Sequence, residues 1–537
     1  MRRLAADERC GGHEPCEHQY ELWTTPDCLG TEHETHNRSW FYFSVRSLPP
    51  GAPIRLRVVN LNVQAKLFAG GYTPVWRATS EAAGSDSGWQ PVTPGCSYGK
   101  AAYGFFIEWS FNLPPEEADD TALFFAFAVP YSTSKVERKL QSVAAAFAGS
   151  AALREAVYFH RSTLAKSCDG RAVPLLTLTS PDGRSSERDG AALAADPVLY
   201  PDANAGPASD FSKAKSVVFI SARVHPAETM AQWMFDGVLD FLLRLDDPRA
   251  AALRERFVFK LVPLVNPDGV ARGHQRTDTW GHNLNRRYLS PEAEREPSVY
   301  AIRSALLDWH SRGRLCFYFD LHAHTSRDNA FFFGNFYDQL EAQVDNVLFA
   351  KLVTLNSPHV DFSLCNFSAS GMSKEMHDGT SKSGSGRVAL HHATADAAPS
   401  AQRVLCYTVE VNPNKGRHRN AKAKATGKGS GRASPPRNAS SSGGRYTVDD
   451  WAEIGRSTVV SLLDFYGANP WTRIGSTHSD FESLAAVKHW CVQFVAQGQG
   501  FRDSKAIHEQ REELLMKLRP KKKPRPKKRG KRPKAAG

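Results

Sequence analysis

Along the chain, apolar residues first gather in short alternating runs. Between residues 19 and 130 these are YELW, SWFYFSV, IRLRVVNLN, FFIEWSF and ALFFAFAVP, separated by turn signals such as LPPGAP and TPGC. Period-two alternation between turns is the pattern of an antiparallel β-sandwich. From Ser132 to about Ala165 the period changes. Val136, Leu140, Val143 and Phe147 share one helical face, which predicts a helix leading into a second domain. Residues 168–215 then mix short strand-like runs with Gly/Ser/Asp-rich loops.

Four apolar runs beyond this point suit a sheet covered on both faces: Val217–Ile220, FVFKLVPLV (257–265), LCFYFDL (315–321) and VLCYTVEV (404–411). After the first, Met230, Trp233, Met234, Val238, Phe241, Leu242 and Leu245 recur at helical spacing. Each run gives way to polar residues: His225 and Glu228, Asn266 and Asp268, His322 and His324, Glu410 and Asn412. Polar residues collecting at the ends of several strands mark the place where open α/β sheets keep their chemistry. Thr447–Asp450 reads as a capping box for a helix to about Tyr466. The predicted organisation is a ragged start (1–18), a sandwich (19–131), an α/β domain (132–470) and a helical segment with a basic tail (471–537). A low-complexity insertion at 413–446, expected to be disordered, interrupts the α/β domain.

Composition changes this picture in two respects. The net charge of +12 is not spread over the fold. Twelve Lys/Arg and no acid follow from Lys517 onward, and nine more without an acid lie between Pro413 and Val448, so the rest of the chain is net acidic. Such segments attract acidic partners or phosphates, or serve as a nuclear-localisation signal. They do not make nucleic acid the expected primary partner. The nine cysteines are an odd, scattered set, which suits a reducing compartment. Cys10, His13, Cys16, His18 and Cys28 can clasp a metal, or belong to a strand-edge or disordered terminus. No apolar stretch of about 18 residues is present to span a membrane, and no apolar secretory core opens the chain.

His225 and Glu228, three apart in a strand-to-helix turn, can present an imidazole nitrogen and a carboxylate to one Zn²⁺, or can be ordinary helix-start polarity. What singles them out is order. His225-Pro-Ala-Glu228, NPDGV (266–270), GHQRTDTWGHNLNRRY (273–288), DLHAH (320–324) and YTVEVN (407–412) follow one another. In this order they resemble the zinc carboxypeptidases of the carboxypeptidase A type, and among them the cytosolic carboxypeptidases, over roughly residues 19–466. The resemblance implies a mixed-sheet zinc carboxypeptidase domain behind the sandwich. It implies His225, Glu228 and His322 as the ligands of one Zn²⁺, with His324 the rival third ligand. Glu410 matches the general base and Arg276 the oxyanion-stabilising arginine. Asn285 and Arg286 match the pair that grips the substrate's terminal carboxylate; without the family, Arg286-Arg287 reads as a solvated basic turn. Arg387, with Lys382 assisting, matches the position facing the last substrate side chain and favours glutamate there. Its Gly/Ser loop can equally carry it into solvent.

Asn283 stands where many relatives have an aspartate orienting the first zinc histidine. The stretch between Arg387 and Glu410 is expanded by His391–Gln402, and the sequence does not place the family's mobile active-site tyrosine. The implied activity is removal of glutamate from acidic protein tails, chiefly glutamylated tubulin, by a cytosolic monomer. Other readings are a tail-binding pseudoenzyme, a zinc amidoacylase of related fold, or a basic-tail nucleic-acid-binding protein.

Overall fold

A computed structural model describes residues 2–3, 18–46, 53–112, 121–375, 379–395, 403–416, 444–476, 479–498 and 505–517. The possible clasp at Cys10, His13 and Cys16, most of the low-complexity insertion and the basic tail beyond Lys517 lie outside the described residues.

Two sheets make up the amino-terminal domain. One runs Arg2–Arg3, His18–Trp23, Pro53–Leu61, Gly104–Asn112, Ser97–Ala101; the other Tyr42–Val45, Ala122–Ala126, Val75–Ser80, Ser85–Asp86, with Gln90–Pro91 also on Val75–Ser80. Their pairings are antiparallel except that His18–Trp23 and Pro53–Leu61 run parallel. Alternation does the sorting: Ile54, Leu56 and Val58, with Phe105, Ile107, Trp109 and Phe111, turn inward. There they meet Phe125 of the second sheet, 5.8 Å from Trp109 and 5.4 Å from Phe111 between ring centroids.

The helix expected over 132–165 stops at Gly149. Ser150 is extended and caps a short second helix, Ala151–Ala156, by accepting the Leu153 N–H. Tyr158–Lys166 is a strand, because Val157, Tyr158, Phe159 and Thr163 are β-branched or aromatic and favour a pleated surface.

That strand is β1 of a seven-stranded mixed sheet. The others are β2 (Ala172–Thr179), β3 (Ser216–Ala222), β4 (Phe257–Val262), β5 (Leu315–Ala323), β6 (Ala330–Phe333) and β7 (Leu405–Val411), in the order β1-β2-β4-β3-β5-β7-β6. The four strands foreseen from the apolar runs are the central parallel ones; β1, β2 and β6 are antiparallel. Along β3, Val218 and Ile220 enter one core while Val217 and Phe219 enter the other. Helices α1 (Thr229–Leu242) and α2 (Pro248–Arg256) cover the first face, α3 (Pro297–Ser311) the second, α4 (Leu340–Asn356) the first and α5 (Gly386–Ala395) the second. On the first face they are joined by α6 (Val448–Phe465), which opens with the foreseen capping box, and α7 (Leu484–Ala496).

The ends of the low-complexity insertion belong to the fold. Lys415 and Arg445 bridge to each other, Asn414 Nδ2 donates to the Gly70 carbonyl at 3.2 Å, and the Arg445 guanidinium donates to Thr73. Both ends are thus tied to the amino-terminal domain. In the sheet, β3 continues to β4 on one side while β5 lies on the other. The crevice between the carboxyl ends of β3 and β5 is therefore a topological switch point, where ligands bind in such sheets.

Candidate active site

His225 lies just beyond β3, and Glu228 holds the first flanking position of α1. The turn between them is braced by Arg223, which adopts φ +60 and is buried. Its Nη2 donates to the Pro226 carbonyl at 2.5 Å and its Nη1 to the Tyr131 carbonyl at 3.0 Å. Burial depresses this guanidinium to about 10. A left-handed φ at a non-glycine residue persists only where the surroundings enforce it, and here two carbonyls do.

His322 comes from β5, two residues beyond Asp320. The two Glu228 oxygens reach both histidines: Oε1 lies 2.7 Å from His225 Nδ1 and Oε2 3.0 Å from His322 Nδ1. Ala323 N–H also donates to Oε2 at 2.9 Å. The donor atoms of His225, Glu228 and His322 all lie within 4.8 Å of one another. Each far imidazole nitrogen is held in turn. His225 Nε2 is 3.0 Å from Asn283 Oδ1, and His322 Nε2 is 2.7 Å from Asp320 Oδ2. Ser221 on β3 donates to the other Asp320 oxygen at 2.9 Å. Two imidazoles and a carboxylate converging, with their outer nitrogens oriented, are the donor set of a catalytic zinc site. His324 stands aside: its Nδ1 is 3.2 Å from Ser326 N, and its ring packs on Phe331.

The electrostatics suit a cation. Burial and Arg276 bring His225 down to about 4, so its lone pair is available at neutral pH. Burial works against the charged form of Glu228, but His225 and His322 hold it well below the usual carboxylate range. Burial likewise opposes the His322 imidazolium, yet Asp320 and Glu228 hold it well above the usual range. His322 would have to give up that proton to hold a dication, so metal affinity would rise with pH.

Glu410, on β7, pairs in register with His322 on β5. Burial lifts its carboxyl to about 7, with His322 pulling the other way and Glu228 adding to the rise. Its Oε2 is buried without a hydrogen-bond partner. Around these groups opens a cleft of about 340 Å³ that also takes in Arg276, Asn285, Arg286, Lys382 and Arg387. The nine residues singled out from the sequence thus meet in one place.

Their partners differ in kind. Asn285 Nδ2 is 3.2 Å from His322 Nε2, while its Oδ1 accepts the Gly386 N–H at 3.1 Å, tying a candidate ligand to the start of α5. Arg286 Nη1 donates to the Asn285 carbonyl at 2.5 Å. The buried Arg387 donates to the Gly334 carbonyl and Asn335 Oδ1, and its Nε has no partner. Among the described residues no carboxylate forms an ion pair with Arg387, and burial brings it down to about 10. Lys382 Nζ sits 4.7 Å from the Phe333 ring centroid, its basicity lowered by burial, Arg387 and Arg286.

Three contributors escape a reading of the sequence. Arg223 and Asp320 sit inside apolar runs, and only their position beside His225 and His322 marks them. The third is the wall supplied by the amino-terminal domain: Ser39, Trp40, Gln64 and Phe127 also line the cleft. Among the described lining residues there is no tyrosine.

Residues 150–416 match the family model described as zinc carboxypeptidase. The chain is 33% identical to the Bos taurus protein named cytosolic carboxypeptidase-like protein 5, over 90% of this chain and 62% of that protein. It is 27% identical to Homo sapiens cytosolic carboxypeptidase 6, over 84% and 76%. It therefore spans about 62% of the length of the first of these relatives. Among solved structures, a Pseudomonas aeruginosa metallo-carboxypeptidase shares the fold with TM-score 0.56 at 20% identity, covering 84% of this chain and 94% of that one. A carboxypeptidase from Burkholderia mallei gives TM-score 0.57 at 20% identity, covering 84% and 92%. The chain belongs to the zinc carboxypeptidase family, among the cytosolic carboxypeptidases.

Proposed function

We propose that this protein is a cytosolic, zinc-dependent protein deglutamylase. It removes glutamate from acidic protein tails, glutamylated tubulin among them, at chain ends or at side-chain branch points. The observation that carries the substrate class is Arg387, a buried guanidinium facing the cleft without a carboxylate partner among the described residues, with Lys382 beside it. A desolvated cation of this kind is complementary to a side-chain carboxylate and disfavours apolar or basic side chains.

His225, Glu228 and His322 hold one Zn²⁺, which when bound supplies the Lewis acidity that makes water nucleophilic at neutral pH. Glu410 takes the proton of the attacking water and delivers it to the leaving amine. Arg276 meets the oxyanion that develops on the scissile carbonyl. Asn285 and Arg286 fix the terminal α-carboxylate, and Arg387 with Lys382 the side-chain carboxylate. A glutamate branched through a γ-linked amide still ends in an α-carboxylate, so the same grip serves both linkages. All of these groups come from one chain, so the reading needs no second copy. The presence of the whole donor set together with Glu410 supports turnover over binding alone.

The test is incubation of purified protein, with and without a chelator, on glutamylated tubulin and on short peptides ending in Glu, Lys or Leu, with products weighed by mass spectrometry. Stepwise loss of glutamate, abolished by chelator, is expected. Equal cleavage of all three peptide ends would reject the substrate class while keeping the carboxypeptidase.

A further inference from the structure

Arg276 lies on a loop with neither helix nor strand of its own, so its backbone needs other partners. They come from the other domain, about 250 residues away in sequence. The Asp27 carboxylate, 1% exposed, accepts four hydrogen bonds from three consecutive residues. Oδ1 takes the Gln275 N–H at 2.5 Å; Oδ2 takes the Arg276 N–H at 2.8 Å, the Thr277 N–H at 2.9 Å and the Thr277 hydroxyl at 3.0 Å. Successive amides pointing at one anion make a rigid concavity. The Gln275 carbonyl in turn accepts the Ala227 N–H at 3.1 Å, and Ala227 sits between His225 and Glu228. One carboxylate of the amino-terminal domain thereby fixes the Arg276 backbone relative to the metal-donor turn.

Neighbouring contacts keep the two loops in register. Ser39 N–H donates to Gln275 Oε1 at 2.5 Å, and Cys28 N–H to His274 Nε2 at 3.3 Å. At Gly281, which adopts φ +69, a Cβ would overlap the His33 carbonyl oxygen.

We infer that Asp27 is a positioning residue for the reaction: it acts through Arg276, holding the guanidinium where the oxyanion forms. The amino-terminal domain is then part of the catalytic apparatus. The inference rests on the reading of Arg276 given above.

A double-mutant cycle on the zinc-loaded full chain tests it, with a short glutamate-ended peptide as substrate. For each variant kcat, KM, zinc content and melting temperature are measured. Arg276→Ala is expected to lower kcat by about 10²–10³-fold, the usual loss for an oxyanion donor. Asp27→Ala should lower kcat at least tenfold, with KM within a few-fold and zinc retained. It should cost little further in the Arg276→Ala background. Asp27→Asn keeps an oxygen for Arg276 and Thr277 but sets an amide against Gln275, so its loss should be smaller, and it serves if the alanine variant does not fold. If the Asp27 and Arg276 losses multiply, or if Asp27 variants keep wild-type kcat while Arg276→Ala is impaired, the positioning role is overturned. Wild-type turnover by Arg276→Ala would instead overturn the role given to Arg276.

Discussion

Under the proposed function Glu410 moves a proton and does not hold the metal. It pairs in register with His322 yet stands outside the converging donor set. Glu410→Gln keeps shape and hydrogen-bonding capacity but cannot accept the proton. It should retain zinc, measured by metal analysis, and lose roughly 10²–10⁴-fold in kcat. Undiminished turnover would move the base elsewhere. A second carboxylate tests stability. Burial raises Asp236 to about 6 from its ordinary 3.8, while the Tyr131 hydroxyl donates to it at 2.6 Å. A raised folded-state value means its contribution is fully present below about pH 4 and lost as pH rises through 6. That rise corresponds to roughly 3 kcal/mol. Asp236→Asn still accepts from Tyr131 but never ionises. It should flatten the stability difference between pH 4 and 6 and melt higher than wild type at pH 7.5; denaturant titrations across that range are the check. The polar residues that gather at strand ends around the cleft were legible in the sequence, because polar side chains after an apolar run stand out. Asp320 and Arg223 were not, since a single charge inside such a run shows its purpose only when its partners, Ser221 with His322 and Tyr131 with Pro226, are brought beside it.

The helices and strands followed their patterns wherever a period was sustained. β3 to α1, the central parallel strands and the capping box of α6 were all readable for that reason. The stretch read as helix reaches only Ala156, with a break at Ser150; from Tyr158 on, β-branched and aromatic residues make it β1. The crossing of α1 and α6 was invisible, because it depends on what is missing. A Cβ at Gly455 would overlap the Met234 carbonyl oxygen, and one at Gly237 the Ala452 carbonyl oxygen, so the two backbones touch. In an isolated helix Gly→Ala gains about 1 kcal/mol. Here the obstacle is backbone, which cannot swing aside as a side chain can, and overpacking costs typically 1–3 kcal/mol. Gly455→Ala should therefore lower the melting temperature despite its better helix propensity, while kcat per folded molecule stays unchanged. A higher melting point would mean that the helices separate without penalty.

Across the molecule, charge is divided between a net acidic body, a cleft gathering Arg276, Arg286, Lys382 and Arg387, and basic segments concentrated in the insertion and after Lys517. The two-domain plan was legible from the switch of hydrophobic period, but the completion of the cleft by Ser39, Trp40, Gln64 and Phe127 was not. Contacts across about 250 residues leave no local signature. The basic tail separates two kinds of attraction. Under the proposed function, recognition of an acidic chain end inside the cleft is short-range and desolvated, so salt screens it little. Charges outside the cleft act on distant ones, and at physiological salt their reach falls to about 8 Å. Deleting residues 518–537 should accordingly leave kcat and KM for a short glutamate-ended peptide unchanged. For a long acidic tail the same deletion should raise KM at low salt and make it less sensitive to added salt. Steady-state assays of both substrates between about 20 and 300 mM salt read the difference, because loss of cleft function would harm both, whereas loss of long-range attraction harms only the longer one, and chiefly where screening is weak.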